Sequence, residues 1–184
     1  LANGRPTGGQ TLATTEDGSY LLKYDETPNP VTRNSVLRNP GATVFVPTRD
    51  EAYKAAYYDP NSQVYFSYPA SSSDEITCAD PSDTPNTANC LGGPAGVTDT
   101  GSYIESSSPY GTFDQGGNVD EWTETLVPFF GVFYRVSLGG SFADPALSLA
   151  ASVGSLNSPI TELAIRGFRV ARVEVRYQTK PDFE

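Results

Sequence analysis

Apolar and polar positions alternate clearly in only a few stretches of this chain, and the elements they predict are short. Residues 19–23 are β-prone, residues 43–47 read as a short buried strand, and 132–138 as another. Near the end, Phe168, Val170, Val173, Val175 and Tyr177 supply alternating apolar positions. Their phase changes between Val170 and Val173, the mark of a bulge or a strand end. One helix is predicted. Thr48-Arg49-Asp50-Glu51 has capping-box spacing, Ala52, Ala55 and Ala56 follow on one face, and Asp59-Pro60 ends the run. Between residues 61 and 111 the chain is a long excursion rich in Ser, Pro, Gly and Asp, a length that is usually functional or tied down. The longest apolar stretch, 126–134, is broken by Pro128 and Gly131 and is too short to cross a bilayer. Its phenylalanines Phe129, Phe130 and Phe133 are expected in the core, the other reading being a contact with a neighbouring subunit. No repeat or heptad is present. The pattern predicts an α+β domain with few short helices, short antiparallel strands and long loops.

Composition narrows the chemistry. The 184 residues suit one domain over 1–184. A formal charge of −10 argues against nucleic acid as a partner and is compatible with cations or simply with solubility. Histidine is absent, which removes the usual general base and the commonest transition-metal ligand. Two cysteines remain, Cys78 and Cys90, in a polar loop. They read either as a redox or metal pair or as a disulfide. No flanking basic residue lowers a thiol pKa, which favours the disulfide and an oxidising compartment: secreted, periplasmic or cell-surface.

Three segments resemble the formylglycine-generating enzyme (sulfatase-modifying factor) family, whose fold is C-type-lectin-like. The first runs from Pro47 through Ala56 to Tyr58, with Ala52 where relatives usually carry tryptophan. The second, Tyr110-Gly111-Thr112-Phe113-Asp114-Gln115-Gly116-Gly117-Asn118-Val119-Asp120-Glu121-Trp122, is close to the family signature, with Asp120 in place of another tryptophan. The third pairs Leu138-Gly139-Gly140-Ser141-Phe142 with Arg166-Gly167-Phe168-Arg169-Val170. The likeness also implies a portion of the family domain before Leu1, expected as separate, cleaved away or unresolved; a second chain supplying it is one possible partner.

The resemblance implies calcium as cofactor. Its ligands would be the side chains of Asp114 and Glu121 and the carbonyls of Gly117 and Val119, a hard-oxygen set of the right kind. Asn89 resembles a ligand of the family's other calcium site. Active relatives form formylglycine with a copper-holding cysteine pair located between the Gly-Gly-Ser and Gly-Phe-Arg segments. Here residues 141–166 contain no cysteine, and Leu149 and Gly154 lie around the matching positions. Copper(I) needs soft thiolates, so a family-type catalyst is not expected. The stretch 142–165 becomes a candidate partner face, with Phe142, Asp144, Leu147, Leu149, Leu156 and Ile160 as its contact residues. The expected function is a non-catalytic, calcium-stabilised extracytoplasmic interaction or structural domain that binds a protein partner, a larger assembly or another ligand. The alternatives are a copper-dependent formylglycine-generating oxidase and a lectin-like receptor with a variable binding face.

Overall fold

A computed structural model describes residues 18–20 and 36–173. The alternating positions at Val175 and Tyr177, and the part of the 19–23 segment beyond Tyr20, lie outside the described residues. The chain divides into two compact units, one comprising residues 1–45 and 170–184, the other 46–169.

In the first unit, β1 (Val44–Phe45) pairs antiparallel with β10 (Ala171–Arg172), with Phe45 opposite Ala171. Asn39 donates its backbone N–H to the Ser19 carbonyl at 2.8 Å, and Tyr20 bridges to Arg38. The Arg38 guanidinium lies 3.4 Å from the centre of the buried Phe45 ring, a cation–π contact. The strand expected at 43–47 is therefore only two residues long.

The second unit starts with α1 (Arg49–Tyr57). Its capping box is complete: Thr48 accepts from the Glu51 N–H at 3.2 Å, and Glu51 accepts from the Thr48 N–H at 2.8 Å. Two orphan donors are satisfied reciprocally, which fixes the start of the helix. The helix packs against β6 (Asp120–Phe129) and β7 (Val132–Leu138), with Ala56 and Tyr57 buried. Tyr53 stacks on Tyr57 at 5.1 Å and on Tyr65 at 5.2 Å, so the tyrosines of this region form one tilted cluster.

Short ladders follow: β2 (Tyr58–Asp59) with β3 (Val64–Tyr65), then β4 (Thr77–Cys78) parallel to β5 (Thr87–Ala88). The main sheet has the order β8-β7-β6-β9, where β8 is Ser155–Asn157 and β9 is Arg166–Phe168. A 3-10 turn spans Ala146–Leu149. β10 ends at Arg172, within the interval from Val170 to Val173 where the apolar alternation changes phase.

Cys78 and Cys90 form a disulfide across a separation of 12 residues, which ties down the long excursion. In the chain-entropy model so short a loop contributes about 3 kcal/mol. Around it lies the core cluster Tyr68, Ala70, Ile76, Ala88, Leu149 and Ala150.

The hairpin β6–β7 departs from expectation. After a register shift between Trp122 and Leu126, β6 continues through Pro128, and its outer part, from the Val127–Tyr134 pair to Phe129–Val132, extends past the ladders with β8 and β9. Proline is tolerated there because that edge has no ladder to serve among the described residues. Phe130 and Gly131 form a two-residue loop with φ +47° and +79°, the combination a right-twisted hairpin needs. Phe130 is 92% exposed and Phe129 53%, so neither belongs to the core as the sequence pattern implies.

Tyr57 joins helix to core by donating to the Leu149 carbonyl at 3.1 Å. Burial raises its pKa well above that of a free tyrosine. A folded-state value above the unfolded one means the stabilisation is present below about pH 10 and lost as pH rises through the folded value. Denaturant titration between neutral and strongly alkaline pH should show stability falling, with one phenol ionising only on unfolding. Tyr57→Phe should cost about 1 kcal/mol at neutral pH and flatten that alkaline loss.

Candidate functional site

The segment 111–121 carries four left-handed residues that bend it into a tight loop: Gly111, Asp114, Gly117 and Asn118 all have φ between +54° and +80°. At Gly117 the requirement is double. Its φ is +80°, and a Cβ there would lie 2.5 Å from the Asn89 carbonyl oxygen. Only glycine permits the two backbones to approach so closely. Asn118 follows as the cross-link. Its backbone N–H donates to the Asn89 carbonyl at 2.8 Å, and its own carbonyl accepts from the Phe142 N–H at 3.0 Å. Its side-chain oxygen accepts from the Thr98 N–H at 2.9 Å and from Asn89 Nδ2 at 3.2 Å, while its Nδ2 donates to the Thr98 carbonyl at 3.2 Å.

Asn89 is 1% exposed. Its Nδ2 also donates to the Gly96 carbonyl at 2.8 Å, but its Oδ1 is buried with no donor, as is Thr98 Oγ1. Unsatisfied buried oxygens are costly, and a bound cation or water is the usual remedy. Asn89 thus fits a hard cation, which wants side-chain oxygens of this kind.

The loop 114–121 fits calcium less simply. Asp114 Oδ2 accepts from the Gly101 N–H at 2.6 Å. Glu121 is gripped by both prongs of Arg169, with Nε to Oε2 at 3.0 Å and Nη2 to Oε1 at 2.9 Å. The same guanidinium donates to the carbonyls of Phe113 and Asp114 at 2.9 and 2.8 Å. Burial raises the pKa of Glu121, and Arg169 opposes the rise. Arg169 therefore supplies one positive charge where the resemblance implies a divalent ion, so calcium held by Asp114, Gly117, Val119 and Glu121 must share Glu121 with it. The residue pattern alone did not reveal this partner; the Gly-Phe-Arg segment carrying it lies 48 residues away.

The proposed partner face divides. Leu147, Leu156 and Ile160 are exposed, Ile160 by 69%. Phe142 is half-buried, and Asp144 caps its own turn, accepting from the Ser141 N–H and Oγ at 2.9 and 2.5 Å. Leu149 is the correction: at 0% exposure it belongs to the core cluster and cannot touch a partner. The 3-10 turn points Leu147 outward and Leu149 inward, a distinction that composition does not carry.

The sequence profile of the sulfatase-modifying factor enzyme 1-like domain matches residues 47–174. Among solved structures, the fold is shared with CarF, at 22% identity and a TM-score of 0.57 over 80% of this chain and 54% of that one. It is shared also with Treponema denticola variable protein 1, at 20% identity and a TM-score of 0.53 over 76% of this chain and 51% of that one. The chain thus spans about half the length of each. No curated protein matches it.

The Gly117 approach and its left-handed backbone can be separated by mutation. Gly117→Ala should cost about 3 kcal/mol or more, because strain and clash add. Gly111→Ala, at φ +73° but with open space around the site, should cost about 1–2 kcal/mol. Chemical denaturation of both variants checks the difference.

Proposed function

Because this chain belongs to the sulfatase-modifying factor enzyme 1-like domain family, we propose that it is a non-catalytic, calcium-stabilised domain outside the cytoplasm that docks another protein. One observation carries the reading. The stretch in which active relatives are expected to hold their copper ligands is here built for packing and display, with Leu149 inside and Leu147, Leu156 and Ile160 outside. Both cysteines of the chain are joined to each other, so no thiolate pair is available to copper(I). The disulfide supports export to an oxidising compartment, periplasm or cell surface included. Among the described residues no helix is long and apolar enough to cross a membrane.

Exposed aliphatic side chains form the kind of surface that partners desolvate. Leu147 and Ile160 are its anchors. A photo-crosslinker placed at either position, in cells of the native source, should yield one discrete adduct. The same group at Asp50, on the exposed first turn of α1, should yield none. Absence of any adduct from both anchors contradicts the docking role.

Calcium, when bound, supplies a multivalent positive charge that draws backbone and side-chain oxygens together. Asn89 Oδ1 is the best-fitted donor for one site, while Asp114, Glu121 and the carbonyls of Gly117 and Val119 would form the other where Arg169 yields. Saturation at about 100 times Kd stabilises by about 2.7 kcal/mol, which for a domain of this size raises Tm by roughly 5–10 °C. Thermal unfolding in chelator against excess calcium tests this. Asn89→Ala should reduce the difference by removing the contribution of its site, and Arg169→Gln should enlarge that of the Asp114–Glu121 loop. Superimposable curves for the unaltered protein contradict the calcium part of the proposal.

A further inference from the structure

Phe130, at 92% exposure, is the most exposed large apolar side chain among the described residues, so it has little to pack against within the fold. It sits in the β6–β7 loop at φ +47°, a left-handed conformation that is strained for a bulky side chain. Asn or Gly takes this turn position at no such cost. The ring meets Phe129 edge-on at 4.5 Å, and Phe129 is itself more than half exposed. Tyr134 continues the ridge, its ring 6.1 Å from that of Phe129. A strained conformation that displays an aromatic ring to water points to something the ring meets outside the fold.

The surroundings narrow what that is. Residues 126–134, Leu-Val-Pro-Phe-Phe-Gly-Val-Phe-Tyr, hold no charge, and residues 128–132 are exposed without interruption. The first charged side chain back from the tip is Arg135, opposite Leu126 and donating to the Glu124 carbonyl at 2.9 Å. Between the loop and Arg135 lie the pairs Phe129–Val132, Pro128–Phe133 and Val127–Tyr134, a reach of about 10 Å at the usual rise per residue. Interfacial segments bury their apolar groups about 5–10 Å into the boundary between headgroups and acyl chains. That depth brings Tyr134 and Arg135 to the level where amphipathic and cationic side chains settle.

Protein strand addition is a poorer match. Pro128 has no N–H to give to a strand added along the β6 edge, and the tip is a convex ridge rather than a groove. The open edges also limit the depth, since backbone groups without partners keep the hairpin out of the hydrocarbon core. With a formal charge of −10, the domain gains no electrostatic attraction to anionic lipid.

We propose that this hairpin tip docks the domain on a zwitterionic lipid surface, with Phe129 and Phe130 inserted at the interface and Pro128 and Val132 beside them. Insertion of so few side chains is weaker than that of a single acyl chain, whose association constant is about 10⁴ M⁻¹. The attachment is therefore peripheral and reversible, and it uses none of the residues assigned above to the protein-docking face.

The test is flotation of the intact chain with phosphatidylcholine vesicles, with and without added phosphatidylserine, and measurement of Tm for each variant. The unaltered protein should float at about 1–5 mM lipid, and phosphatidylserine should not tighten binding. Phe130→Trp should keep binding and shift its emission to the blue on vesicles, a change absent from Trp122 in the unaltered chain. Phe130→Asn should lower binding at least about tenfold, yet leave Tm unchanged or raised, because asparagine followed by glycine is the pair this turn prefers. A Tm lowered by Phe130→Asn makes the ring structural and overturns the proposal. Failure of the unaltered protein to float at about 5 mM phosphatidylcholine, or tighter binding to phosphatidylserine, also overturns it. Self-association lost in Phe130→Asn, without flotation of the unaltered protein, overturns it in favour of a second copy of this chain.

Discussion

The structure depends on the junction of two irregular segments at Asn89, Gly117 and Asn118. Two backbones approach so closely that a single Cβ would not fit. Three residues of the opposing loops, Asn89, Thr98 and Phe142, are then hydrogen-bonded to Asn118. Each such bond contributes only about 1 kcal/mol net, but leaving one of these buried groups unmade costs more than making it gains. The junction therefore behaves as all or nothing. A domain with so little regular structure keeps a defined shape by such cross-links, with the disulfide and the Arg169–Glu121 pair acting beside it.

From this follows the division of labour in residues 141–166. Phe142 is tied to Asn118, and Leu149 fills the core against Tyr68, Ile76 and Ala88. Burying a leucine contributes about 1.5–3 kcal/mol. A position at which active relatives are expected to carry redox chemistry thus contributes packing here. The segment is packed on its inner side, while its outer side presents Leu147, Leu156 and Ile160 to solvent. Rigid display on a cross-linked scaffold suits recognition, since little ordering entropy remains to be lost on binding.

Much of this was legible from local signals. The capping box at Thr48 and Glu51, the strand Val132–Leu138 and the Cys78–Cys90 bond involve neighbours in sequence or the only two residues able to react. The α+β class and the family followed from the signature around Asn118. What escaped is long-range or directional. Pro128 and Gly131 read as breakers, yet one has no ladder on its far edge among the described residues and the other lies in a hairpin loop, so the strand continues and Phe129 and Phe130 are carried out to solvent. Leu149 looks like its exposed neighbour Leu147 in composition and differs only in which way a 3-10 turn points it. Arg169 gives no sign in its own segment that it will occupy Glu121.

Amide hydrogen exchange at Gly117 and Asn118 tests the central constraint most directly. If the junction holds the loops as firmly as the sheet is held, both amides exchange only through global unfolding, at the rate of the buried β7 amides of Val136 and Ser137. Exchange at these two positions through local opening, orders of magnitude faster than at Val136, contradicts the idea that the loop layer is a rigid scaffold.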